Sequence, residues 1–178
     1  GGTVAAEMAS VRVPENRRNP QSRNIEVRFL KLSGKENSKG YPIVYLAGGP
    51  GQAASDVVKS RRFELFERLR SLGDVILIDQ RGTGLSDGLP KWGGRIEFPS
   101  GKPRTAELHR ELLTQELKEA ADYWASNGAD YRGYTTRESV EDLEAIRVAL
   151  DVEKLNLIGI SYGTHLALAA LKKYEERI

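Results

Sequence analysis

The sequence predicts an α/β fold built on a mostly parallel sheet with helices on both faces. Two observations predict it. Three short runs, Ile43–Leu46, Val75–Ile78 and Leu155–Ile160, are almost continuously apolar, as strands are when both faces of a parallel sheet are covered. Helical patterns lie between them, so strand and helix alternate as in βαβ units.

The elements justify themselves in order. Val4–Val13 and Ile25–Leu32 read as strands separated by a turn-rich stretch from Pro14 to Pro20. Ile25, Val27, Phe29 and then Lys31 alternate with Glu26, Arg28 and Leu30, the period of a half-buried strand. After Ile43–Leu46, Ser55 is placed to cap a helix that turns Phe63, Phe66 and Leu69 inward and stops at Gly73. Asp87–Tyr134 interrupts the rhythm: a Gly- and Pro-rich loop precedes Leu108, Leu112, Leu117, Ala120 and Trp124 at helical spacing. This segment is expected to be an excursion from the sheet rather than a separate domain, with residues 1–178 forming one partial core domain. Thr135 and Glu138 form a capping-box pattern ahead of Val140, Leu143, Ile146 and Leu150. Gly163–Tyr174 is rich in Ala and Leu and reads as a buried helix.

Composition excludes several functions. With 27 Lys and Arg against 25 Asp and Glu, the net charge of +2 is too small to argue for nucleic acid or an anionic membrane surface. Arg12, Arg17, Arg18 and Arg23 are interrupted by Pro and Asn and read as a solvated edge. There is no Cys, hence no disulfide framework, thiol nucleophile or thiolate metal site. No apolar run is long enough to span a bilayer. The opening Gly1-Gly2, without Met, reads as a processed start or an expression remnant.

Gly159-Ile160-Ser161-Tyr162-Gly163 carries the chemistry. A serine hydroxyl attacks only when a base takes its proton and when it stands clear of the backbone. A Gly-x-Ser-x-Gly turn between strand and helix supplies the exposure, because Gly159 and Gly163 permit a sharp turn. Ser161 is therefore the candidate nucleophile. Leu46-Ala47-Gly48-Gly49-Pro50-Gly51 follows an apolar strand and can supply a backbone N–H to a developing oxyanion. The expected donors are Gly49 and Tyr162, with Gly48, Pro50 and Gly51 shaping the loop. It is not a phosphate loop, since it lacks both the Gly-Lys-Ser/Thr ending and the G-x-G-x-x-G pattern. Asp79-Gln80-Arg81-Gly82-Thr83-Gly84-Leu85-Ser86 follows the next strand, and Asp79 and Arg81 are expected to pair and hold the turn. His165 lies one helical turn past Ser161, and His109 lies on the excursion helix. Both read as packing or surface residues rather than a base, and neither has the partners of a metal site. No metal or cofactor is expected.

These three motifs, in this order, resemble the proline iminopeptidase and tripeptidyl aminopeptidase family of α/β-hydrolase serine peptidases. Val13-Pro14-Glu15-Asn16 with Asn19-Pro20 resembles its exported, tripeptidyl-type branch, which favours a periplasmic or secreted location over the cytoplasm. Ala47 stands where proline iminopeptidases carry His, which argues against strict proline specificity. The resemblance implies the N-terminal part of an α/β-hydrolase fold and release of N-terminal residues or short peptides through an acyl-enzyme. The triad order of this fold is Ser, acid, His. Tyr162–Ile178 contains no Asp and a single His, so acid, base and substrate-reading cap are expected beyond Ile178. A carboxylesterase-like acyl hydrolase and a non-catalytic fragment needing a second chain remain open beside the peptidase. The strand before Ser161 is expected to have one open edge, with Leu166, Ala170 and Leu171 exposed. On this reading the isolated chain self-associates, is unstable or is held by a complementary C-terminal chain, and alone is inactive.

Overall fold

The three apolar runs form β3 (Ile43–Leu46), β4 (Val75–Ile78) and β5 (Asn156–Gly159), paired in parallel with β3 in the middle. The structure is a computed structural model that describes residues 4–178; Gly1 and Gly2 lie outside the described residues. Upstream, β1 (Glu7–Pro14) and β2 (Asn24–Leu32) form an antiparallel hairpin, and β2 pairs antiparallel with β4. The order is β1-β2-β4-β3-β5. The sheet is thus more mixed than expected, because the hairpin brings β2 back against the direction of the βα strands.

Period-2 alternation explains the two cores. Val44, Leu46, Ile76 and Ile78 face one side with Val11, Val13 and Val27. There they meet α4 (Thr136–Ala149) and α5 (Tyr162–Lys173) through Val140, Leu143, Ile146 and Leu166. Tyr45, Val75 and Leu77 face the other side, under α1 (Ala54–Val57) and α2 (Phe63–Leu69). Fully burying one such side chain stabilises the fold by about 1.5–3 kcal/mol. Tyr45 is buried edge-on against Phe66 at 5.0 Å, and its hydroxyl accepts from the Arg62 guanidinium at 2.7 Å. In β2 the inward phase ends at Phe29. Leu30 and Leu32 pack on the second core, while Lys31 is half-buried and pairs with Asp74.

Several local expectations are corrected. Ser55 caps nothing: the expected helix is split into α1 and α2, and Ser55 is instead bound to Asp79. At α4 only half of the capping box forms. The Thr135 hydroxyl accepts from the Glu138 N–H, but the Glu138 carboxylate turns to Arg17. The excursion contains a long α3 (Ala106–Ser126) capped by Thr105, of which only Ala120 is buried; Leu117 is exposed. Its loop is pinned by the Trp124 indole donating to the Pro90 carbonyl and by Trp92 against Tyr123. The helix α5 buries one face rather than all of itself. Leu166 and Ala170, expected to be exposed, are buried against α4 and the sheet, whereas Leu168 and Leu171 are exposed. The strand β5 has a ladder only to β3 among the described residues.

Candidate active site

The strand β5 delivers the chain to Ser161, and α5 carries it away. Ser161 sits at the N-terminal boundary of α5 with φ 54° and ψ −120°. A non-glycine residue at positive φ stores about 1–3 kcal/mol of backbone strain, and such outliers cluster at functional sites. The turn works because no Cβ stands in the way. A Cβ on Gly163 would lie 2.0 Å from the Leu46 carbonyl oxygen, so only glycine allows α5 to pack against the end of β3. Ser161 itself is exposed.

The glycine loop lies directly against the serine. A Cβ on Gly48 would lie 3.1 Å from Ser161 Cβ and 3.7 Å from its Oγ. The loop holds itself by Gln52 N–H donating to the Gly48 carbonyl at 3.2 Å, and Gly49 and Gly51 both take positive φ. In the first turn of α5, Gly163 N–H donates to Ile160 and Thr164 N–H to Ser161. Among the described residues, the N–H groups of Gly49 and Tyr162 have no protein acceptor. The Tyr162 hydroxyl is hydrogen-bonded to Thr136 Oγ1 at 2.9 Å, which ties the residue after Ser161 to the start of α4.

Asp79 and Arg81 do not pair. Asp79 accepts from the Ser55 N–H and hydroxyl at 2.9 and 2.6 Å and from the Leu85 N–H at 2.8 Å, closing the turn on itself. Arg81 reaches away, making two 2.7 Å bonds to the Asp142 carboxylate and donating to the Glu15 and Gly133 carbonyls. The pairing expected from sequence neighbours fails because each residue finds a buried partner on another element. Two of the four arginines read as a solvated edge are engaged: Arg17 binds Glu138 and Asp142, and Arg23 binds Glu15, while Arg12 and Arg18 are exposed.

Glu15, fully buried, is the centre that sequence reasoning missed. Its carboxylate accepts from Arg23 and the Tyr134 hydroxyl on one oxygen, and from the Asp130 N–H on the other. Burial alone would raise its pKa, but the three donors outweigh it and hold the carboxyl below the usual range. Burial and the neighbouring Glu15 push the Tyr134 phenol up. The Arg132 guanidinium, helped by Asn16, holds Asp130 well below the carboxylate range against its own burial. Burial opposes the charge of Arg17, but Glu138 and Asp142 raise its pKa. Glu138 and Asp142 lie one turn apart on the face of α4 that also carries Ile146, acids at apolar spacing. That was the readable signal for this network.

The two histidines stay outside the constellation. His109 is exposed on α3 and packs edge-on against Phe98 at 5.6 Å. His165 is exposed and lies 5.9 Å from the Tyr162 ring, with no hydrogen bond to Ser161.

Residues 41–178 match the model of the α/β hydrolase fold family. The chain belongs to that family. It is similar to a proline iminopeptidase of Xylella fastidiosa, 29% identical over 79% of this chain and 31% of that protein. It is also similar to a tripeptidyl aminopeptidase of Streptomyces lividans, 24% identical over 88% of this chain and 30% of that protein. The chain therefore spans less than a third of the length of these curated relatives. Among solved structures, a proline iminopeptidase-related protein of Thermus thermophilus superposes with a TM-score of 0.56. It is 22% identical, with 96% of this chain and 42% of that one covered, a likeness of fold. Among the described residues, no helix is long and apolar enough to cross a membrane.

Proposed function

We propose that this chain carries the nucleophile and oxyanion hole of a serine aminopeptidase that releases N-terminal residues or short peptides. The observation that carries this reading is Ser161 itself: exposed, at φ 54°, against Gly48, and followed by an N–H without a protein acceptor. In this reading Ser161 Oγ attacks the scissile carbonyl and passes its proton to a histidine C-terminal to Ile178, which an acidic residue orients. Negative charge on the carbonyl oxygen is stabilised by the Gly49 and Tyr162 N–H groups, a contribution worth about 2.7–4 kcal/mol per donor in comparable sites. The histidine then protonates the leaving amine, and water hydrolyses the acyl-enzyme. The peptidase names of the relatives favour an amide over an ester substrate, and fold alone does not decide it. The unpaired edge of β5 fits a chain completed by a further strand from the remaining two thirds of such a protein. Alone, this chain is inactive.

The test uses the full-length protein. A fluorophosphonate probe should label Ser161, and Ser161→Ala should abolish both labelling and hydrolysis of unblocked peptidyl-aminocoumarins. N-acetylated versions of the same peptides should be poor substrates. Labelling at Ser86 or another serine would overturn the assignment, and faster turnover of short p-nitrophenyl esters with no dependence on a free N-terminus would turn the reading to an esterase.

A further inference from the structure

A cavity of about 380 Å³ is lined by Tyr162, the residue after the proposed nucleophile. One wall is Pro50 and Gly51 of the glycine loop with Tyr162, the residue after Ser161. Tyr134, Thr135 and Ser139, at the start of α4, line it as well. Gln80, Arg81, Gly82, Thr83, Gly88 and Leu89 complete it. The cavity thus adjoins the glycine loop and the first residue of α5, both next in sequence to the groups proposed to act on the substrate.

The chemistry of the lining is one-sided. It contains no Asp, Glu, Lys or His. Its single charged residue, Arg81, has a side chain only 2% exposed, and its guanidinium is spent on Asp142 and three carbonyls. The Gln80 amide is likewise turned to the Ala47 carbonyl. What remains is hydroxyl, aromatic and backbone surface. An ionised group entering such a pocket loses water and gains no counter-charge, which costs far more than placing a neutral side chain there.

We infer that this cavity is the specificity pocket of the proposed hydrolase and that it takes an uncharged side chain next to the scissile bond. It equally rejects the substrate's α-ammonium, whose carboxylate partner must lie elsewhere in the protein. The inference rests on Ser161 being the nucleophile.

Thr135 gives a clean test, because it is both a wall of the pocket and the N-cap of α4. Asp and Asn are as good at an N-cap as Thr or better, so either substitution keeps the helix start while only Asp adds charge. In the full-length protein, peptides would be compared that carry Lys or an uncharged isostere at each position flanking the cleaved bond. The wild type should prefer the neutral residue at one of these positions. Thr135→Asp should shift the ratio of kcat/KM at that position toward Lys by about tenfold or more, as expected for a new ion pair in a partly desolvated site. Thr135→Asn should keep the wild-type preference. Fluorophosphonate labelling of Ser161, measured on the same samples, separates the two ideas. Labelling intact in all three proteins with no shift in the Asp variant overturns the pocket and leaves the hydrolase. Loss of labelling in the wild type overturns both. A wild type that prefers Lys at every position also overturns the pocket.

Discussion

Removing the Glu15 carboxylate should unfold this chain more readily than any surface change of equal size. The carboxylate is fully buried and accepts from three donors: Arg23 at 2.7 Å, Tyr134 at 2.8 Å and the Asp130 N–H at 2.7 Å. In Glu15→Ala, Arg23 can turn to water, since its side chain is 36% exposed. The Tyr134 hydroxyl and the Asp130 N–H are less able to do so, and each unsatisfied donor costs about 1–3 kcal/mol. Their sum, about 3–5 kcal/mol with the lost packing, matches the cost of removing one partner from a buried ion pair. Glu15→Gln keeps the shape and one acceptor oxygen but turns an NH2 toward a donor, so it should cost about 1–3 kcal/mol. The pH dependence has a definite sign. Because the folded-state pKa of Glu15 is lowered, its ionised form adds stability above the ordinary carboxylate range. That stability is lost as pH falls through the folded value. The gap between wild type and Glu15→Gln should therefore be full at pH 7 and narrow below about pH 4. Urea unfolding followed by far-UV circular dichroism at a series of pH values measures all of this. A Glu15→Ala cost below about 1 kcal/mol, or a Gln gap as large at pH 3 as at pH 7, would refute the account.

Two further outcomes test the frame around the site. Gly163→Ala should cost about 1–3 kcal/mol or more, because the new methyl meets the Leu46 carbonyl, whereas Gly93→Ala, with nothing within 4 Å, should change stability by less than about 0.5 kcal/mol; equal thermal shifts in the two variants would contradict the close-approach argument. The isolated chain should self-associate through the free edge of β5 and the exposed Leu168 and Leu171, and light scattering that finds a stable monomer at every concentration would contradict that.

The parts legible in the sequence are those fixed by local pattern. Two of the three parallel strands begin and end where their apolar runs do, since a strand buried on both faces leaves little ambiguity in its composition. The strand-to-helix turn at Ser161 was legible because close backbone packing permits only glycine at Gly163, and glycine at fixed spacing is visible in a string. The partners of charged residues were not legible. Asp79 and Arg81 are near neighbours in sequence, yet the strand-to-turn geometry sends one to Ser55 and the other to Asp142 on α4. Likewise Arg17 and Arg23 look solvated, because their partners stand on other segments, Glu138 and Asp142 for Arg17 and Glu15 for Arg23, and the inward face of the two α4 acids shows in the sequence only as their spacing from Ile146. Exposure on α5 was misjudged for the same reason: Leu166 and Ala170 are covered by α4 and the sheet rather than by any strand beyond β5.

The misread charges and the turn at Ser161 belong to one construction. Arg81 leaves the turn after β4, crosses to Asp142 on α4, and on the way binds the carbonyls of Glu15 and Gly133. Glu15 in turn holds Tyr134 and Asp130 at the entry to α4. The network thereby fixes where α4 starts relative to the sheet. The start of α4 supplies Thr136, which bonds the hydroxyl of Tyr162, the residue after Ser161, whose N–H has no protein acceptor among the described residues. Hydrogen bonds joined by the backbone of Tyr134–Thr136 thus connect the β1–β2 turn to the residue after the serine without involving Ser161. Backbone donors cannot be repositioned by changing a rotamer; they can be aimed only by fixing the elements that carry them. That is a physical reason for placing buried charge, expensive as it is, behind this site rather than in it.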